Sequence, residues 1–179
     1  AQNTVIKIYT DRDKMKRENI AGKIKLLSAI RHPFIVAPKG LVTALNGEPV
    51  GFFMDFVSGE PFPRLFTNDF RNRERFTDMD ARTFTARMQE AVVCAHDHKA
   101  IMADANEMNW MAALRGKNGP EPRVIDVDSW AIHKWRAQVL MPSIKDWHST
   151  GFNELTDWFA WGVVSFQVFT GIHPYKGHL

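Results

Sequence analysis

Three short stretches hold polar residues in apolar settings where chemistry could be done. Lys7 stands in VIKIY, Asp104, Asn106 and Asn109 in MADANEMN, and Asp126 and Asp128 in VIDVDSW. Burying any of them without a partner is costly. Carboxylate and amide oxygens suit a hard cation such as Mg2+, which takes one or two carboxylates and completes its shell with substrate phosphates. An Asp and an Asn at the ends of neighbouring strands would serve. A further Asp nearby could position a hydroxyl and accept its proton. Plainer readings stand beside these. Lys7, set between Ile6 and Ile8 on a strand, points away from its neighbours, which could be the solvent side. Asp104 and Asn106 could form only a side-chain-to-backbone turn.

Two other motif readings fail on their context. DANEMN opens like an EF-hand loop, but Met108 and Asn109 stand where an oxygen ligand and a glycine are needed. VIDVDSW resembles the D-x-D opening of haloacid-dehalogenase-like phosphatases. That family sets the motif near the start of a long α/β domain, with a lysine and an acidic pair after it. Here the motif is followed by a short stretch ending in a buried helical pattern.

The elements that must position these residues can be read from periodicity. TVIKIYT alternates and is rich in β-branched residues, which predicts a strand. From about Asp13 to Ile30 one helix is expected, since Ile20, Ile24, Leu27 and Ile30 fall at helical spacing. RHPF then ends it, because Pro33 restricts the residue before it. Two apolar runs around Asn46-Gly47 predict a hairpin. SGEPFPRLF, rich in turn formers, is the expected boundary between two lobes. Residues 60–80 carry no clear pattern. Asp80 to Lys99 predicts a long helix with Phe84, Met88, Ala91, Val92 and Ala95 along one stripe. Short strands are expected on both sides of the polar insert RGKNGPEP. Residues 131–155 read as irregular. TDWFAWGVVSFQVFTG reads as a buried helix closed by Gly171.

Composition narrows the class. Of 179 residues, 45% are hydrophobic and 24% charged, the mix of a globular protein rather than a disordered one. Thirteen Phe and six Trp can supply a sizeable core. A net charge of +3 gives no clear nucleic-acid partner. Basic residues do gather at 12–25 and 71–75, where a solvated face and an anion site are the alternatives. The single Cys94 excludes an internal disulfide and a CxxC metal knuckle, and a cytoplasmic, reducing location fits. No run of apolar residues is long enough for a transmembrane helix. The start has no signal-peptide layout, and it falls almost inside a strand, as at the edge of a larger unit.

Taken together, the segments resemble a eukaryotic-like protein kinase, in a divergent form of bacterial or phage type. VIKIY is similar to the family's V-A-I-K strand, which makes Lys7 the phosphate-binding lysine. LLSAIRHPFIV resembles the end of the regulatory helix and the strand after it. FFMDFVSGE resembles the hinge, with Met54 as gatekeeper and Asp55, Phe56 and Val57 offering backbone groups to an adenine ring. CAHDHKAIMADANEMNW resembles the catalytic loop. His96 stands eight residues before Asp104 and Asn109 five after it, as in the family. The match implies Asp104 as catalytic base and Asn109 as metal ligand. VIDVDSW takes the place of D-F-G, with Asp126 as main Mg2+ ligand. TDWFAWGVVSFQVFTGIHPYKG resembles the central helix of the helical lobe, and gives Asp157 the task of holding the catalytic loop by its backbone.

The resemblance implies an α+β fold in two lobes: an incomplete β-rich lobe over 1–57, and a helical lobe over 58–179 that stops after its central helix. It implies an ATP- and Mg2+-dependent phosphotransferase of Ser/Thr protein-kinase type, acting on a protein substrate or held by a regulatory partner. A pseudokinase serving as a nucleotide-binding or interaction module is the alternative, and a small-molecule kinase a third. Departures from the family favour the alternative. No G-x-G-x-x-G precedes Lys7, so the loop that covers the phosphates is expected to be absent or to lie outside this chain. Met102-Ala103 removes the arginine that reads a phosphorylated activation loop. Asn106 replaces a lysine and is expected only to hold the loop. Asp128 replaces a glycine and is assigned to the metal. Lys23 falls where the regulatory-helix glutamate should be, leaving Glu18 or no residue in that role. LMPSIKD is the nearest match to A-P-E and lacks its glutamate.

Overall fold

The computed structural model describes residues 3–114, 119–137 and 141–176. Its first sheet is antiparallel. β1 (Thr4–Ile8) and β2 (Gly40–Thr43) flank β3 (Pro49–Asp55), with Lys7 opposite Phe52. The hairpin predicted at Asn46-Gly47 forms there. Gly47 takes a positive φ of 80° and donates its N–H to the Ala44 carbonyl at 2.9 Å.

The single helix expected over Asp13 to Ile30 is instead two. α1 spans Arg12–Arg17 and α2 spans Ile20–Leu27. The break lies at Asn19, whose φ of 50° is left-handed and stops α1. Its side chain then accepts from the Gly22 N–H at 3.3 Å and caps α2. On α2 the buried stripe is Ile20, Lys23, Ile24 and Leu27, so a lysine occupies a core position.

The second part is built on two long helices. α3 (Asn68–Glu74) leads into α4 (Asp78–Asp97), and α5 (Glu154–Thr170) packs against α4. Capping boxes open both long helices, Thr77 with Asp80 and Asn153 with Thr156. All five expected stripe residues of α4 are buried. The unassigned stretch 60–80 holds β4 (Glu60–Pro61), a 3-10 turn and α3. Between the helices, β5 (Ala100–Ile101), β6 (Trp110–Ala113), β7 (Glu121–Val124) and β8 (Ala131–Ile132) form two small antiparallel sheets, β4-β6-β7 and β5-β8. The polar insert between β6 and β7 lies partly outside the described residues, as does Leu140 of LMPSIKD.

One apolar core spans both parts. Phe62, Phe84, Met88, Trp110 and Val163 share a cluster with Leu27, Ile30 and Phe34. The Val36 N–H donates to the Val124 carbonyl and the Val124 N–H to the Phe34 carbonyl, both at 2.9 Å, stitching the chain after α2 to β7. The fold is thus mixed α+β with small antiparallel sheets, compatible with a truncated kinase-like fold.

α5 ends at Gly171, whose φ of 75° is left-handed and whose would-be Cβ lies 2.6 Å from the Phe66 carbonyl oxygen. Gly171→Ala should therefore lower unfolding stability by about 2 kcal/mol, read by urea denaturation. An unchanged midpoint would show that the turn relaxes freely.

Candidate active site

The loop around Asp104 is fixed from beneath by one buried carboxylate. Asp157, on the first turn of α5, accepts the Met102 N–H and the His96 Nε2–H on Oδ2, at 2.8 and 2.9 Å. Its Oδ1 accepts the Ala103 N–H at 2.8 Å. Ala103 is held at a positive φ of 59°, which turns the chain so that both N–H groups face the same side chain. The Asp157 contact to the loop backbone is the one its resemblance to the family implies.

Beyond that turn, the loop's own amides set its shape. The Asn109 Nδ2–H and Asn106 Nδ2–H donate to the Asp104 carbonyl, at 2.7 and 3.3 Å. Asn106 Oδ1 accepts the Met108 N–H at 2.7 Å and caps the 3-10 turn 107–109. Asn106 therefore shapes the loop, and the Asn109 amide oxygen is left as a free acceptor type. The Asp104 carboxylate is nearly buried and accepts the Met141 N–H on Oδ1 at 2.8 Å. The Ile125 N–H donates to the Asn109 carbonyl at 2.9 Å, tying this loop to the one bearing Asp126.

Lys7 is half-buried. On β1, Thr4, Ile6 and Ile8 lie on the exposed face, while Lys7 lies on the other, its side chain 37% exposed and turned to two aspartates. Its ammonium donates to Asp126 Oδ1 at 2.6 Å and to Asp128 Oδ1 at 2.8 Å. The Tyr9 hydroxyl, two residues along the same face of the strand, donates to Asp128 Oδ2 at 2.8 Å. Lys23, with no exposed surface, donates from Nζ to the Asp128 carbonyl at 2.6 Å. Two cations and a phenol thus converge on two aspartates. Burial pulls Lys7 down, but Asp128 and Asp126 outweigh it and hold its pKa above the ordinary value. Burial, then Asp128, pushes Tyr9 well up. Burial pulls Lys23 down to about 8, against the opposing pull of Asp128, Glu18 and Asp126.

These contacts also show where Glu18 and Lys23 stand relative to Lys7. Glu18 does not reach Lys7; it caps α1, and its carbonyl accepts the Trp135 Nε1–H at 2.7 Å. The break at Asn19 gives α2 its own start, and Lys23 is then the residue that α2 turns toward the aspartates. Sequence reasoning noted Lys23 only as a departure and missed Tyr9 altogether. The period-two spacing of Lys7 and Tyr9 was the available signal.

The four expected hinge residues lie apart from this cluster. Met54 packs against Met15, Ile20, Ile24 and Phe52, and Asp55 pairs with Lys39 at 2.5 Å. The Phe56 N–H is already used, donating to the Asn3 carbonyl at 3.0 Å. A cavity of about 470 Å3 touches Asp55, Phe56 and Val57, but its other walls are His32, Pro33, Lys39 and Arg123 rather than Lys7 or the aspartates. Among the described residues, no group of three or more His, Cys, Asp or Glu side chains is assembled as a metal site. No described helix is long and apolar enough to cross a membrane.

No family model matches the chain. It is similar to protein kinases. It is 24% identical over 168 residues to the cAMP-dependent protein kinase catalytic subunit of Arthrobotrys oligospora, covering 90% of this chain and 30% of that protein. It is 25% identical over 168 residues to the cAMP-dependent protein kinase catalytic subunit PRKX of Mus musculus, covering 90% and 44%. It is 24% identical over 173 residues to cAMP-dependent protein kinase type 3 of Saccharomyces cerevisiae, covering 90% and 40%. The chain spans less than half the length of each of these relatives. These similarities support a distant, protein-kinase-like relationship.

Two outcomes follow from this geometry. Asp157→Ala strands three buried donors and should cost about 3 kcal/mol or more by urea unfolding. A loss under about 1 kcal/mol would mean that the loop is held elsewhere. The second concerns Lys23 in protein kept metal-free with a chelator. Its pKa is about 8 when folded against an ordinary 10.5, so between those values the unfolded chain binds more protons. Stability then rises with pH over that range. Cys94, whose thiol is pushed above 9.0 by burial, opposes this only from its ordinary value upward. The urea midpoint should therefore rise from pH 8 to pH 9 in the native sequence and stay level in Lys23→Met; equal slopes in both would refute the assignment.

Proposed function

We propose that this chain carries the nucleotide- and metal-binding parts of a Ser/Thr-type protein-kinase-like phosphotransferase. The observation that supports it is the meeting of Lys7 with Asp126 and Asp128, at 2.6 and 2.8 Å, across 119 and 121 residues of chain. In this reading residues 1–57 and 58–179 are the two lobes of the fold. Lys7 grips the phosphates of ATP. Met54, Asp55, Phe56 and Val57 border the adenine, with fewer free backbone donors than the family resemblance implies. Asp126, Asp128 and the Asn109 amide oxygen are oxygen donors suited to Mg2+, and two carboxylates are the number such a site uses when phosphates complete the shell. Bound there, Mg2+ supplies charge neutralisation for the transferred group. Asp104 orients the acceptor hydroxyl and takes its proton; the Met141 N–H holds one of its oxygens in place.

A pseudokinase reading has its own support. Lys23 stands where a glutamate would free Lys7 for phosphate, so Lys7 is held by the aspartates instead. The Phe56 N–H is also occupied. In that reading the site binds nucleotide, or a partner, without transfer.

Asp104→Asn should abolish transfer of labelled phosphate from ATP while leaving the melting temperature within a degree or so, because the amide keeps the shape and one acceptor. Transfer at the native rate by this variant would overturn the base assignment. ATP with Mg2+ should raise the melting temperature of the native protein by mass action, and Asp126→Asn should remove that rise. A rise without any transfer selects the pseudokinase reading. No rise with any nucleotide sinks the phosphotransferase reading and points to an interaction module.

A further inference from the structure

Apart from Lys23, the basic run at residues 12–25 has no part in the site above, and the structure gathers some of it into a separate cleft. Between α1, α2 and the segment 134–137 lies a cavity of about 520 Å3. Lys14, Arg17, Lys23, Lys134 and Arg136 line it, with Glu18 as the one carboxylate and Trp135 as a wall. A basic last turn on α1 could be explained by the helix dipole alone. That account does not reach Lys134 and Arg136, which arrive from more than a hundred residues away.

Pairing sets these cations apart from their neighbours. Lys16, on the same helix, meets Glu48 at 2.7 Å. Among the described residues Lys14, Arg17, Lys134 and Arg136 make no ion pair, and Lys134 only lies over the Trp135 ring, 4.9 Å from its centre. Gathering like charges round a cavity is unfavourable until an anion shares it. The walls are nonetheless tied together, since the Trp135 Nε1–H donates to the Glu18 carbonyl. Lys23 forms the floor and is anchored to the Asp128 carbonyl. The space exceeds that of one phosphate, and guanidinium groups match phosphate oxygens in pairs.

We propose that this cleft binds a compact oligophosphate, a ligand that presents several phosphate groups side by side. A short linear polyphosphate and a multiply phosphorylated ring share that chemistry. The ligand would sit against α2, whose buried Lys23 reaches the Asp128 carbonyl.

The test is calorimetric titration of the whole protein, free of nucleotide and Mg2+, with tripolyphosphate, inositol hexakisphosphate and orthophosphate. Tripolyphosphate or inositol hexakisphosphate should bind, and whichever binds more tightly identifies a linear or a ring-borne source. Arg17→Glu with Lys134→Glu should weaken that binding at least tenfold. Both residues are exposed, and Arg17→Gln with Lys134→Gln should weaken it in the same direction with less charge change. Melting temperature and ATP affinity should stay as in the native protein. Native affinity in both double variants overturns the proposal and puts the ligand elsewhere, the nucleotide site included. Binding of all three probes with equal weak affinity means an adventitious ion only, and binding of none below about 1 mM leaves no site; both outcomes refute it.

Discussion

A single buried carboxylate holds the candidate site in shape. Asp157 is 1% exposed, and its two oxygens take three donors from two other segments of chain. Burying a charge is favourable only when it is fully bonded, so each donor is needed. The capping box at Asn153 starts α5 so that Asp157 falls in its first turn, where the N-terminal end of a helix favours negative charge. α4 brings His96, and the backbone twist at Ala103 brings the loop. From there Asn106 and Asn109 carry the order forward to Asp104.

The second ordering element is ionic. Lys7, Tyr9 and Lys23 come from β1, its continuation and α2, and all end on the short turn at 126–129. Asp126 itself has a positive φ of 59°, which lets its side chain and that of Asp128 address the same ammonium. A second cation, Lys23, meets the same turn through the Asp128 carbonyl. The apolar stripe of α2 accommodates Lys23 because its one strong acceptor, the Asp128 carbonyl, lies at the end of its reach.

Much of this was legible in the sequence. The hairpin at Asn46-Gly47, the stripe of α4 and the apolar α5 follow from local chemistry and periodicity. The split between α1 and α2 was not, because Ile20 to Ile30 keep helical spacing and a left-handed Asn19 leaves that pattern untouched. Nor was the direction of Lys7. Its flanking isoleucines suggested an apolar inner face, and only the distant aspartates explain why the lysine turns inward. Tyr9 and the Met141 N–H were missed for the same reason: their partners lie far away in sequence. The resemblance to protein kinases implied that His96, Asp104, Asn109, Asp126 and Asp157 belong to one region, and backbone and side-chain bonds link their segments. Their chemical roles belong to the proposed function.

The engagement of Lys7 has a consequence for binding kinetics and selectivity. Its carboxylate partners are on the same chain, so they compete with any incoming anion at a high effective concentration. An anion alone must displace them and leave two aspartates short of a counter-charge. A cation that occupies those aspartates lowers the cost of releasing the lysine. By thermodynamic reciprocity, the anion then raises the affinity for the cation by the same factor. Under the proposed function, the lysine–aspartate contact thus favours a paired anion and cation over either half.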